Sequence, residues 1–162
     1  MFIKRALDSA IDQTYQAIEI IVVDDGSNDN LEAFINQNYP SSVTYIWQEN
    51  SGASAARNRG VFAASGELIA FLDADDYWHP QKLELQIQVF KETEGLGLCY
   101  TSWYVNADQK QLIRRSFPNA DSKTHGAIAK SFLEIFLDPY FGTPGVMLRK
   151  KYFEAIGGFD ET

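Results

Sequence analysis

Residues 66–80 read GELIAFLDADDYWHP, and this stretch decides the fold. Leu68 to Leu72 is an apolar run of strand length. Directly behind it come three carboxylates within four residues, Asp73, Asp75 and Asp76. Like charges this close repel one another, so their placement after a buried strand does not serve stability. A ligand or ion that gathers them is the physical reason for the arrangement. Nearly fifty residues earlier the pattern recurs: Glu19 to Val23, EIIVV, reads as a buried strand, and Asp24-Asp25-Gly26-Ser27 ends it. Ligands of open α/β sheets bind beyond the carboxyl ends of the strands. Two such ends, each carrying carboxylates, predict one acidic crevice.

Outward from these strands the elements alternate. Phe2, Ile3, Ala6, Leu7, Ala10 and Ile11 recur at helical spacing and predict an amphipathic helix ending near Gln13 or Thr14. Asn30 to Asn38 reads as a helix and Val43 to Trp47 as a strand. Ser54 to Ala64 reads as an alanine-rich helix closed by Ser65-Gly66. After Pro80 the apolar residues fit both periods; the length of the run to Thr93 favours a helix, with Pro80 in its first turn. Leu96 to Val105 reads as a strand, with a turn at Ala107–Lys110 into Leu112–Arg115. A polar loop spans Phe117–Thr124 and a helix Ile128–Leu137. Val146 to Arg149 is a short strand before a helix from Lys150 to Ile156 and a break at Gly157-Gly158. Alternating strands and helices predict an α/β sheet covered on both faces. Residues 1–162 read as one domain.

The charge balance narrows the partners. The 162 residues carry a formal net charge of -8, a poor match for nucleic acid, whose binding rests on Lys and Arg neutralising phosphates. An apolar fraction of 45% is globular, and no apolar run approaches the roughly 20 residues of a membrane span. The N-terminus shows no signal-peptide pattern, and the expected location is cytoplasmic. The lone cysteine, Cys99, lies in an apolar segment and reads as a buried, inert thiol.

Asp-x-Asp behind a buried strand offers hard oxygen ligands. Mg²⁺ or Mn²⁺ takes one or two such carboxylates and fills its other positions with water and substrate phosphate. A cation of this kind reconciles an acidic chain with a phosphorylated ligand. NSGASAARNRG, residues 50–60, adds Arg57 and Arg59 in a small-residue stretch. Arg57 could meet a phosphate, a base carbonyl or the nearby carboxylates; two solvated arginines on a surface helix is the plainer alternative. Asp24 alone is an ordinary turn residue, and Asp76 is a candidate cap for the following helix.

VVDDGSND, ENSGASAARNRG, GELIAFLDADDYWHP and GGFDE, in this order and spacing, resemble a family 2 glycosyltransferase of the GT-A fold, over residues 2 to 161. The resemblance implies a Rossmann-like nucleotide-diphospho-sugar transferase fold, with a mostly parallel sheet and helices on both faces. It implies transfer of a sugar from a nucleotide-diphosphate donor to a saccharide or lipid-linked acceptor hydroxyl, with inversion and with Mg²⁺ or Mn²⁺. Membrane association would then come through the acceptor or a partner. It assigns Asp25, with Asp24 beside it, to the nucleobase, Asp73 to the ribose and diphosphate and to the metal, Asp75 to the metal, and Arg57 to the nucleotide pocket. Gly157, Gly158 and Phe159 match a loop near the donor sugar and acceptor.

The chain departs from that pattern at both ends. The family's opening strand, of the type VSVIIPTYN, has no counterpart here, and the expected fold is an incomplete GT-A domain with a gap in its sheet, which a second copy of the chain could fill as a homodimer. The acidic pair that supplies the general base lies beyond GGFDE, so no catalytic residue is assigned. Two other readings compete. A phosphatase would use Asp73 as nucleophile and Asp75 as acid, but Tyr77 stands where that chemistry usually has Thr or Val. A degenerate module would bind nucleotide without turnover.

Overall fold

The computed structural model describes residues 2–101, 103–107, 110–114 and 142–162. The chain opens with α1 (Phe2–Ile11), then β1 (Ile21–Asp25), α2 (Leu31–Asn38), β2 (Thr44–Gln48), α3 (Ala53–Ala63) and β3 (Leu68–Ala70). α4 (Lys82–Glu92) leads to β4 (Leu98–Tyr100), β5 (Trp103–Ala107) and β6 (Lys110–Arg114). β7 (Val146–Arg149) and α5 (Lys150–Ala155) close it.

β1 and β2 pair in parallel from Ile21↔Thr44 to Asp25↔Gln48, with α2 as the crossover. β7 lies between β3 and β4, antiparallel to both, so those two run in the same direction. This antiparallel insertion had no signal in the sequence. β5 and β6 form the expected hairpin. Strand alternation sorts the helices onto two faces. Val146 and Leu148 of β7 join Val61 of α3 and Phe153 of α5, while Met147 joins Leu83 and Phe90 of α4. On β1, Val22 packs with Leu7 of α1 and Ile35 of α2, and Ile21 packs toward the α3 side. Among the described residues, no helix is long and apolar enough to cross a membrane.

Neither β1, on the edge away from β2, nor β3, on the edge away from β7, pairs with another described strand. Both line a cavity of about 1130 Å³. Ala6 and Leu7 of α1 and Gly60 and Val61 of α3 wall it, and it reaches Arg57 and Asp73. The cavity thus lies between the edges of β1 and β3 that pair with no described strand.

Several boundaries differ from the sequence expectation. β1 runs two residues further than EIIVV, so Asp24 and Asp25 are still in the ladder, opposite Trp47 and Gln48. The predicted strand Leu96–Val105 splits: β4 pairs with β7, its last tie being Thr101 N to Gly145 O at 3.1 Å, and β5 pairs with β6 instead. α4 starts at Lys82, two residues after Pro80, and Asp76 does not cap it. Gln13 serves that end, its Oε1 accepting from Leu83 N at 2.9 Å. The loop at 117–124 and the helix at 128–137 lie outside the described residues.

Ile35 is 1% exposed at the centre of the α1–β1–α2 cluster. Ile35→Ala is expected to cost about 2–5 kcal/mol. Urea unfolding should show a lowered midpoint at unchanged slope.

Candidate functional site

α1 carries a polar stripe that the sequence reading did not single out. Arg5 and Ser9 stand at i and i+4 on one face of α1, and Gln13, at i+8, lies two residues past its end. Each holds the acidic loop behind β3. Arg5 Nη2 donates to Asp75 O at 2.7 Å, Trp78 N donates to Ser9 Oγ at 3.0 Å, and Gln13 Nε2 donates to His79 O at 2.8 Å. Thr14 N adds a bond to Pro80 O at 2.8 Å. The loop is therefore laid along a helix 66 to 70 residues earlier in the chain. The four-residue spacing was the available signal; its partners were not visible.

Within the loop the three carboxylates take separate positions. Asp73 Oδ1 accepts from Arg57 Nη2 at 2.8 Å, joining the loop to α3. Asp75 is exposed, and no described hydrogen bond or ion pair engages its carboxylate. Desolvation, reinforced by the charges of Asp75 and Asp73, pushes Asp76 above the usual carboxylate range, with Arg5 as a partial counterweight. No group of three or more metal-ligating side chains occurs among the described residues. The donor set, one exposed carboxylate and one shared with an arginine, suits a hard cation that completes its shell with water and phosphate.

At the end of β1 the two aspartates do different work. Asp24 is 4% exposed, and its oxygens are taken up locally. Oδ1 accepts from Ser27 N at 2.8 Å, and Oδ2 from Ser27 Oγ at 2.8 Å and Tyr45 Oη at 2.6 Å. Burial works to raise its pKa, but these bonds outweigh it and hold Asp24 below the ordinary value. The same contact, with burial, pushes the Tyr45 hydroxyl up. Asp25 instead reaches the loop before α3. Its Oδ1 accepts from Gln48 Nε2 at 2.7 Å and Ser51 N at 2.8 Å, and Oδ2 from Gly52 N at 2.9 Å. The Gln48 amide, followed by the Ser51 and Gly52 amides, lowers its pKa. A carboxylate has about four acceptor sites, so one remains for a further donor. Gly52 immediately precedes α3, and Arg57 follows one turn into that helix. Asp25, Arg57 and Asp73 are thus connected through α3.

The remaining candidates divide. Arg59 is exposed and lines a shallow cavity of about 480 Å³ with Gln48, Glu49 and Glu161, away from the Asp73 contact. Gly157 (φ 86°) ends α5 with bonds from Gly157 N to Glu154 O and from Gly158 N to Phe153 O, both 3.1 Å. The Phe159 ring, directly after this turn, lies 5.9 Å from the Arg57 guanidinium carbon. Burial pushes the Cys99 thiol up to about 11, which keeps it unreactive at neutral pH.

An α/β sheet whose strand ends carry an aspartate turn and an acidic loop, joined by an arginine on the intervening helix, is the architecture of the GT-A nucleotide-sugar transferases. The model of Glycosyl transferase family 2 matches residues 2–157, and the chain belongs to that family. It is 38% identical over 118 residues to the uncharacterized glycosyltransferase alr2836 of Nostoc sp., covering 71% of this chain and 37% of that protein. It is 38% identical over 129 residues to WfaP of Escherichia coli, a UDP-Glc:alpha-D-GlcNAc-diphosphoundecaprenol beta-1,3-glucosyltransferase, covering 79% of this chain and 50% of that one. The crystal structure of Staphylococcus aureus TarS residues 1–349 superposes with a TM-score of 0.71 at 22% identity, over 99% of this chain and 47% of TarS 1–349. The same protein in complex with UDP gives 0.67. The chain spans half or less of the length of these proteins.

The lowered pKa of Asp24 sets a pH dependence. A carboxylate whose folded pKa lies below its unfolded value of 3.8 stabilises the fold fully above that value. The contribution is lost as pH falls below 3.8 through the folded pKa. Asp24→Asn is expected to lose about 2 kcal/mol at pH 7, a difference that shrinks below pH 3.8. Urea midpoints of the two proteins measured across pH 2.5 to 7, on the order of the carboxylate range, check this.

Proposed function

We propose that this chain forms the donor-binding part of a glycosyltransferase that moves a sugar from a nucleotide diphosphate to an acceptor hydroxyl, with inversion and with Mg²⁺ or Mn²⁺. The observation that carries the reading is the Arg57–Asp73 contact at 2.8 Å, at the polar end of the cavity and beside the exposed Asp75. It brings the arginine of the helix motif onto the acidic loop, as a nucleotide-diphosphate pocket requires. The fold likeness to UDP-bound TarS and the UDP-Glc donor in the name of WfaP favour UDP as the nucleotide.

In this reading Asp25 accepts a nucleobase N–H at its remaining lone pair, and Asp24 shapes the turn that aims it. Arg57 and Asp73 face the ribose and diphosphate. Asp75, with Asp73, would hold the cation, whose chemistry is to neutralise charge on the departing diphosphate. The acceptor is a saccharide or lipid-linked hydroxyl. A general base must take its proton, and the last two acidic residues are otherwise engaged. Asp160 Oδ1 accepts from Thr162 N at 3.0 Å and Oγ1 at 2.6 Å, and Glu161 Oε1 accepts from Asn58 Nδ2 at 2.6 Å.

Calorimetric titration of UDP into the chain tests the proposal. Binding is expected with Mn²⁺ and at least about tenfold weaker with EDTA or in Asp75→Ala, a loss of about 1.4 kcal/mol or more. Equal affinity with and without chelator would contradict the metal bridge.

A further inference from the structure

Asn58 is adjacent to Arg57 on α3 but faces the other way. It is 4% exposed, and all its hydrogen bonds run to a turn about a hundred residues later. Its Nδ2 donates to Phe159 O at 2.9 Å and to Glu161 Oε1 at 2.6 Å, and its Oδ1 accepts from Phe159 N at 2.8 Å. The approach is so close that a Cβ on Gly158 would lie 2.5 Å from Asn58 Oδ1. One amide thus pairs with both backbone groups of Phe159, the two-sided match of a strand partner.

The Phe159 side chain is held as firmly. Its ring meets Phe71 and Phe153 edge-on at 5.5 and 5.2 Å between centroids. Its face lies 5.9 Å from the Arg57 guanidinium carbon, within range of a cation–π contact. Arg57 in turn donates to Asp73 at 2.8 Å. A continuous path therefore runs from Asn58 through Phe159 and Arg57 to Asp73.

We infer that Asn58 is a positioning residue for donor binding: it seats Phe159 behind Arg57, and so fixes the guanidinium that faces Asp73. The inference rests on the donor-binding reading for its functional half, and on geometry alone for the clasp. A free Arg57 would lose rotamer freedom on binding an anion; a backed one is already placed.

The test uses the whole chain and reads two quantities, the amide exchange rate of Phe159 by NMR and the dissociation constant of UDP with Mn²⁺. Asn58→Ala should speed exchange at Phe159 at least about tenfold and weaken UDP at least about threefold, the loss of one buried hydrogen-bond set. Asn58→Asp keeps the acceptor for Phe159 N but sets a carboxylate oxygen against Phe159 O and Glu161, so this isosteric change should recover neither effect, whereas a purely space-filling role would be restored by it. If Asn58→Ala fails to fold, Glu161→Ala at an exposed position removes one of the three bonds, with smaller changes in the same direction. Wild-type exchange at Phe159 in Asn58→Ala would overturn the clasp. Accelerated exchange at unchanged UDP affinity would overturn the positioning role. Absence of UDP binding to the wild-type chain would overturn the donor reading and the link to it, while the Phe159 rate would still decide the clasp.

Discussion

Arg57 and Asp73 meet at 2.8 Å across the mouth of the cavity, and three segments of the chain depend on that meeting. Asp73 is the first residue of the acidic loop, and Arg57 lies on the helix that Asp25 anchors at its start. Phe159, from the far end of the sequence, backs the guanidinium. Both partners are partly exposed, so the pair contributes only about 0–1 kcal/mol to stability. Its weight is geometric. It spends one Asp73 oxygen on an arginine and leaves the exposed Asp75 carboxylate without a described partner. In the proposed reading that division separates two tasks, orienting a nucleotide and holding a cation.

Repulsion among the carboxylates explains the support beneath the loop. Desolvation, with the charges of Asp75 and Asp73, pushes Asp76 above the usual carboxylate range. Like charges this close favour a spread loop, and the loop backbone is held against that. Arg5 and Ser9 of α1, with Gln13 just past its end, hold it at Asp75 O, Trp78 N and His79 O. Gln13, fully buried, also accepts from Leu83 N, so the loop and the helix after it are fixed by one residue. These bonds go to backbone atoms, and the carboxylates remain available.

Much of this was legible in the sequence. Strand-then-carboxylate at Val23–Asp25 and Leu72–Asp75 marked two strand ends, because short apolar runs and turn residues are local signals, and of these carboxylates Asp73 is the one that lines the large cavity. The family likeness followed from the order of four motifs. What escaped depends on pairings distant in sequence. Asn58 was not singled out in ARNRG, because its partners lie 101 and 103 residues on. Arg5, Ser9 and Gln13 were a visible i, i+4, i+8 pattern, but a polar stripe on an amphipathic helix usually faces water. The stretch from Leu96 to Val105 was read as one strand, although Thr101 and Ser102 interrupt its apolar run. Pairing decided otherwise, with β7 taking its first part and β6 its second.

The most direct measurement of the central claim is electron-nuclear double resonance on Mn²⁺ bound to the chain with UDP, with the aspartate carboxyls labelled with ¹³C. A cation held between Asp75 and the diphosphate must couple to both. The account predicts ³¹P and ¹³C couplings on the same ion, with the ¹³C signal diminished in Asp75→Asn. A ³¹P coupling without any ¹³C coupling in the wild-type chain would place the metal on the nucleotide alone and contradict the account.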